Sequence, residues 1–144
     1  MSRPVPRPHK TYPYHLSIPT RWADNDVYGH VNNSVYYFFF DTVVNHWLIE
    51  NKLLDIGHSD VIGLVVSTSC DFFAPISFPD LISAGLRVAK IGSSSVTYEI
   101  GLFRNDETSL SAQGHFTHVY VNEVSRRPKA ISDKIRMKLE TLKL

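Results

Sequence analysis

The chain has 144 residues, 43% apolar and 20% charged, with a formal net charge of +1. That length suits one domain with a core of its own, and the near-neutral balance supplies no long-range field to draw nucleic acid or an anionic membrane surface. A lone cysteine, Cys70, excludes an internal disulfide framework and a multi-cysteine metal site and fits a reducing, cytoplasmic setting, while no apolar run approaches membrane-spanning length.

Residues 1–13 are basic and broken by Pro4, Pro6 and Pro8. They lack the apolar stretch of a secretory signal and predict a flexible tail rather than a targeting segment. From His15 to Trp22, Leu16, Ile18 and Trp22 share a face at period two, which predicts a strand. Pro19 cannot donate to a ladder and suggests an edge position. Residues 23–32 form a polar loop in which Gly29 is free to take an unusual backbone angle. A helix is predicted over 33–52. Ser34, Asp41, Asn45 and Lys52 mark one narrow polar stripe, and Val35, Tyr36, Phe39, Phe40, Val43 and Trp47 surround it, so the helix should be covered on most sides.

The segment Asp55-Ile56-Gly57-His58 breaks the helix. Residues 61–73 alternate, with Ile62, Leu64, Val66, Cys70 and Phe72 on one face, and Ala74-Pro75 ends the strand. Ile82, Ala84, Leu86 and Val88 outline the next. Gly92-Ser93-Ser94 turns the chain into a strand carrying Val96, Tyr98, Ile100 and Leu102, and Asn105-Asp106-Glu107 turns it again. Residues 109–122 close an antiparallel meander. Ser132 caps a final helix over 133–143, with Ile135, Leu139 and Leu142 on one side. One sheet must then bury one long helix, so the sheet has to curl around it; the fold class is α+β, with residues 14–144 as a single domain.

Several motifs lie along this frame. Arg21-Trp22 is followed by Asp24, Asp26 and Gly29-His30-Val31-Asn32-Asn33, and then by the aromatic helix. Downstream stand Cys70-Asp71-Phe72-Phe73-Ala74-Pro75-Ile76, Phe78-Pro79-Asp80, Ile91-Gly92-Ser93-Ser94-Ser95, His118-Val119-Tyr120-Val121-Asn122 and Arg127-Pro128. Together, over about residues 14–130, they resemble the hotdog-fold thioesterases of the 4-hydroxybenzoyl-CoA thioesterase-like group. The resemblance implies a curled antiparallel sheet wrapped around one central helix, and hydrolysis of an acyl-CoA or related acyl thioester to free acid and thiol.

It also implies roles for residues. Asp26 takes the place of the family's catalytic aspartate, as nucleophile or general base. The amide of Asn33 or a close neighbour, at the helix N-terminus, is the expected oxyanion donor. His30 falls where related enzymes carry a functional histidine, and Tyr28 stands where those enzymes carry an asparagine. Asp24 fixes the loop by accepting amides, and the Asn32 and Asn33 side chains serve as caps. His46 is expected in the core or at an interface. Tyr36, with Tyr37 and Phe40, lines an acyl tunnel. A homodimer or homotetramer is implied, with Ser67, Thr68 and Ser69 of a partner strand on the second side of the site. For the coenzyme A phosphates the Gly92-Ser93-Ser94 turn offers amides, with Arg87, Lys90 and Arg104 as substitute cations. No metal or redox cofactor is implied, since coenzyme A enters as part of the substrate. The alternatives are a hydratase or dehydratase of acyl thioesters on the same fold, or a non-catalytic module that binds acyl-CoA.

Overall fold

The structure, a computed structural model, describes residues 5–54, 57 and 60–143. In chain order it contains β1 (Tyr14–Pro19), α1 (Val35–Glu50), β2 (Val61–Phe72), β3 (Leu81–Ile91), β4 (Ser95–Arg104), β5 (Ala112–Asn122) and α2 (Asp133–Glu140). The strands form one five-stranded sheet in the order β1-β3-β4-β5-β2. All neighbours are antiparallel, and β1, with Pro19, is an edge as expected. Among the described residues no helix is long and apolar enough to cross a membrane.

The core lies between α1 and the inner face of the curled sheet. Tyr36, Phe39, Phe40, Val43, Val44, Trp47 and Leu48 are buried, which is the three-and-four spacing of one helical stripe. They meet the alternate residues Ile82, Ala84, Leu86 and Val88 of β3 and Val96, Tyr98, Ile100 and Leu102 of β4. The rest of α1 is less covered than expected: Tyr37, Phe38 and Ile49 are exposed beside the polar stripe. The helix also stops earlier than expected. Lys52 turns the chain with φ 59, and the expected breaker falls at residues 55–58, of which only Gly57 lies within the described residues. Ser132 caps α2 by accepting from the Ile135 amide, and α2 ends at Glu140 rather than at 143.

Two expectations about facing are corrected. Trp22 lies in a short 3-10 turn beyond β1 and is 77% exposed, because the strand ends at Pro19. In β2 a bulge falls between Val65 and Ser67. The extra residue reverses the alternation. Cys70 and Phe72, opposite Gly114 and Ala112, face the helix, whereas Ile62 and Leu64, opposite Val121 and Val119, face the other way.

Residues 5–13, within the segment expected as a tail, pack on the outer face of the sheet. The Tyr12 ring is buried over Gly85 and Gly101, cross-strand partners on β3 and β4. A Cβ at either glycine would lie 2.6–2.7 Å from that ring, so only glycine leaves it room. The Arg7 amide donates to Gln113 Oε1 at 3.0 Å, and its guanidinium donates to Glu99 Oε1 at 2.6 Å. Glu99, buried, is also approached by Arg87 at 3.4 Å. His9 stacks on His15 with ring centroids 3.8 Å apart.

Candidate active site

The loop between β1 and α1 is tied down at both ends. Asn25 and Val31 form an isolated antiparallel bridge. Inside it the Asp26 amide donates to His30 O at 2.9 Å and the Gly29 amide to Asp26 O at 3.1 Å. Gly29 takes φ 84, the left-handed angle that the turn requires. Residues 76–78 clamp the loop from outside: the Val31 amide donates to Ile76 O (2.7 Å), the Ser77 hydroxyl to Gly29 O (2.9 Å), and the Phe78 amide to Asn25 Oδ1 (3.0 Å).

The two aspartates of this loop are held differently. Asp24 is buried, and its carboxylate accepts from the Arg21 amide at 2.7 Å and from the Arg21 guanidinium at 2.8 and 3.1 Å. Its valences are filled. Asp26 Oδ1 accepts the Tyr28 amide at 2.8 Å. Among the described residues its Oδ2 accepts no hydrogen bond, and His30 Nδ1 stands 3.8 Å from it, too long for one. The side chain of Asp26 is 16% exposed.

Asp26 opens onto a cleft of about 500 Å³. Tyr28, His30, Asn33 and Tyr36 line it from the loop and the start of α1, and Phe72, Phe73, Ala74 and Pro75 line it from the end of β2. The Tyr36 ring stands edge-on to Phe72 with centroids 4.8 Å apart. Burial raises the Tyr36 phenol; the Ile76 backbone opposes this, and Cys70 and the Asp26 charge add to it more weakly. It therefore faces the cleft as a protonated hydroxyl. Cys70 behind is pushed up to about 12, by burial first and then by Asp71, and remains a thiol.

The first turn of α1 meets the same cleft. Ser34 is its N-cap, and Asn32 rather than Ser34 supplies the capping oxygen: Asn32 Oδ1 accepts the Ser34 amide at 3.0 Å and the Ser34 hydroxyl at 2.7 Å. The Val35 amide donates to Asn32 O at 3.0 Å. Among the described residues, the Asn33 amide has no acceptor. A carboxylate with one uncommitted oxygen thus shares a partly apolar cleft with an unpaired amide at the positive end of a helix. Such a pairing can deliver a base or nucleophile to a carbonyl and stabilise the negative charge that develops on it.

Of the residues singled out from sequence, Asp26, Tyr28, His30, Asn33 and Tyr36 come together in this cleft. Others do not, within one chain. Ser67, Thr68 and Ser69 lie exposed on the β2 edge, with the Thr68 hydroxyl donating to His115 O at 3.1 Å. In the Gly92-Ser93-Ser94 turn Ser93 is exposed, and the carbonyls are engaged: Gly92 O accepts from Arg136, Ser93 O from the Ile131 amide and Ser94 O from the Tyr120 amide of β5. Arg87 is committed to Glu99 on the outer face, and Lys90 is exposed at the end of β3. Arg104 pairs with Glu107 at 2.8 Å, yet also reaches the cleft wall by donating to Pro75 O at 3.2 Å. His46, expected in the core or at an interface, is exposed and sits 3.0 Å from the Tyr14 hydroxyl. Sequence reasoning missed the wall formed by Phe72–Pro75 as part of the site, although its motif is visible.

The chain is similar to known proteins in family and fold. Residues 20–139 match the sequence model of the thioesterase-like superfamily. No curated protein matches the chain. Among solved structures, the PA5185 protein of Pseudomonas aeruginosa strain PAO1 is 51% identical, with a TM-score of 0.93 over 96% of this chain and 97% of that one. A thioesterase of Thermus thermophilus, solved in complex with coenzyme A and Zn, is 25% identical, with a TM-score of 0.78 over 92% and 96%. The 1,4-dihydroxy-2-naphthoyl-CoA thioesterase Slr0204 of Synechocystis shares the fold at 19% identity, with a TM-score of 0.80 over 88% and 94%.

Proposed function

The chain belongs to the thioesterase-like superfamily, and from that premise we propose that it hydrolyses acyl-CoA thioesters with Asp26 as its acid–base or nucleophilic group. The single observation that carries this reading is the free Oδ2 of Asp26 in the cleft that also holds the unpaired Asn33 amide. In the reaction, the carboxylate attacks the thioester carbonyl or takes a proton from a water that does. The carbonyl oxygen gains negative charge and is held by the helix-end amide. Collapse of the tetrahedral species expels the thiolate, which gains a proton; the water route yields the free acid at once, whereas direct attack leaves a mixed anhydride on Asp26 that a water then hydrolyses to free acid and restored carboxylate. The Tyr28 amide holds the carboxylate's orientation, and His30, 3.8 Å from Asp26 in the same cleft, faces the reacting group. Tyr28 and Tyr36 flank the acyl group.

Coenzyme A is the carrier in this proposal because a relative with similar architecture was solved with it, and Arg104 on the cleft wall is a cation available to a phosphate. The proposal routes no step through a metal or redox cofactor. A cytoplasmic setting is part of it and rests on the unpaired Cys70.

A second copy is also part of the proposal. Leu64, Val65 and Val66 are 37%, 48% and 59% exposed on an edge strand that carries no charge before Asp71. A long apolar edge of that kind is a template for strand pairing. Pairing β2 with β2 of another copy would cover it and bring the partner's Ser67–Ser69 toward the cleft.

The test is thiol release from a panel of acyl-CoA substrates. We expect Asp26→Asn to fold as the parent does and to lose about 10³-fold in kcat/KM. A variant that keeps turnover within a few-fold of the parent would remove Asp26 from the mechanism. Acyl-CoA binding without turnover by either protein would favour the non-catalytic module.

A further inference from the structure

At the far end of α1 there is a second cavity that the thioester chemistry does not use. Within α1, Asn45 stands ~14 Å along the helix axis from Tyr36, which lines the cleft, at 1.5 Å rise per residue, so this cavity is separate from the cleft. Its volume is about 100 Å³, and Asn45, Leu48, Leu53, Ile135, His118 and Tyr120 are among its walls. Most of the wall is aliphatic, and among the described residues none of it carries a formal charge.

Two of its walls hold unpartnered polar atoms. His118 is 3% exposed, and its Nδ1 is buried with no hydrogen-bond partner among the described residues. Tyr120 is 6% exposed, and its hydroxyl is likewise unpartnered. Behind them Tyr98, fully buried, presents a third such hydroxyl, its ring edge-on to His118 at 6.0 Å. Burial first, and then the neighbouring Tyr120 hydroxyl, raises the Tyr98 phenol. Burying such groups without partners costs about 1–3 kcal/mol each, so native proteins fill these sites.

The backbone leaves the space to do so. Gly63 lines the cavity, and a Cβ there would stand 3.1 Å from His118 Nδ1. The glycine keeps open the position beside the unsatisfied nitrogen. We propose that this cavity is a binding site for a small uncharged ligand, whose hydroxyl oxygen is held between the His118 imidazole and the Tyr120 phenol. Among the described residues, an anion would find no cation there and a cation no carboxylate. A neutral imidazole and a phenol each both donate and accept, which suits a hydroxyl. A volume near 100 Å³ takes about three waters at their liquid volume, or one small alcohol. Solvent and an organic hydroxyl are therefore the two sources of the same chemistry.

The experiment is a set of crystal structures of the full chain at atomic resolution. Untreated crystals are compared with crystals soaked separately in propan-1-ol, phenol, sodium acetate and methylammonium chloride. Nitrogen NMR of His118 in solution accompanies them. We expect oxygen density within hydrogen-bond distance of His118 Nδ1 or Tyr120 Oη in untreated crystals. Compact density that persists through the alcohol and phenol soaks identifies water as the ligand. Density that lengthens along Leu48 and Ile135 identifies an organic alcohol. Gly63→Ala should abolish the density and shift the His118 Nδ1 resonance, with thioester turnover unchanged. Should Gly63→Ala fail to fold, Tyr120→Phe gives the same comparison by removing one of the two anchors. An empty cavity in untreated and soaked crystals, or occupancy by acetate or methylammonium in preference to the alcohols, overturns the proposal. Because no outcome depends on Asp26, the result is separable from that of the thioesterase assay.

Discussion

At the mouth of α1 a carboxylate is left half-used, while on the outer face of the sheet another is gripped from both sides. Asp26 accepts one backbone amide and has an oxygen to spare in an open cleft. Glu99 is buried between Arg7 and Arg87, with residues 5–12 strapped over it. The same chemical group serves stability where every valence is met and becomes available for chemistry where one is not. Asp24, two residues from Asp26, belongs with Glu99: it is buried, and its oxygens are taken by Arg21. Position in sequence does not separate the two aspartates; their hydrogen bonds do.

The comparison breaks first, and hardest, at Glu99. Glu99→Ala leaves Arg87 largely buried without its partner and frees Arg7 from the sheet. Removing one member of a buried pair costs about 3–5 kcal/mol. Urea unfolding should show that loss as a lower midpoint. Per folded molecule, thioester turnover should be unchanged, because the outer face does not line the cleft. A Glu99→Ala protein as stable as the parent would show that the strap adds nothing.

The next largest effect concerns acid. Burial lowers the His118 imidazole from 6.5 to about 4. A base with a depressed folded value is neutral in the fold while the unfolded chain takes up its proton. The stabilisation is therefore complete above about pH 6.5 and drains away as pH falls toward about 4, amounting to about 3 kcal/mol at 1.36 kcal/mol per pH unit. His15 acts in the same direction, lowered by burial first and then by the stacked His9. Stability measured against pH for the parent and for His118→Phe should diverge over that window, with the variant the flatter. Parallel curves would mean that His118 is protonated in the fold.

Much of this architecture is legible in the sequence, because α1 and the β3–β5 meander carry strong periodicity and their turns carry recognisable turn residues. The Asp26 loop is legible for another reason: polar groups crowded at the start of an apolar helix have few structural uses. What stayed hidden depends on contacts between distant residues. The β2 bulge at Val65–Ser67 has no marker in its composition, so Cys70 and Phe72 fell on the face assigned to Ile62 and Leu64. Residues 5–13 read as a tail because nothing local shows that Tyr12 has a slot. That slot exists only once Gly85 and Gly101 pair across β3 and β4.

The smallest expected effect tests that slot directly. In Gly101→Ala the new methyl carbon would meet the Tyr12 ring at 2.7 Å, a distance that real side chains do not tolerate. The ring must shift or lift, and overpacking of this kind costs about 1–3 kcal/mol. Because φ at Gly101 is not in the left-handed region, the cost is steric, and the three nearest atoms all belong to Tyr12. The way to prove this is a double-mutant cycle with Tyr12→Ala, which empties the slot. Tyr12→Ala alone should destabilise by loss of a buried ring. In its presence Gly101→Ala should cost little, or gain slightly from the reduced entropy of the unfolded chain. Gly114, whose neighbours are Phe40 and Ser69 rather than Tyr12, serves as the control: Gly114→Ala should keep its full penalty in the Tyr12→Ala background. If the two glycine substitutions respond alike to loss of Tyr12, the N-terminal strap does not occupy the groove in solution, and the grip on Glu99 from Arg7 fails with it.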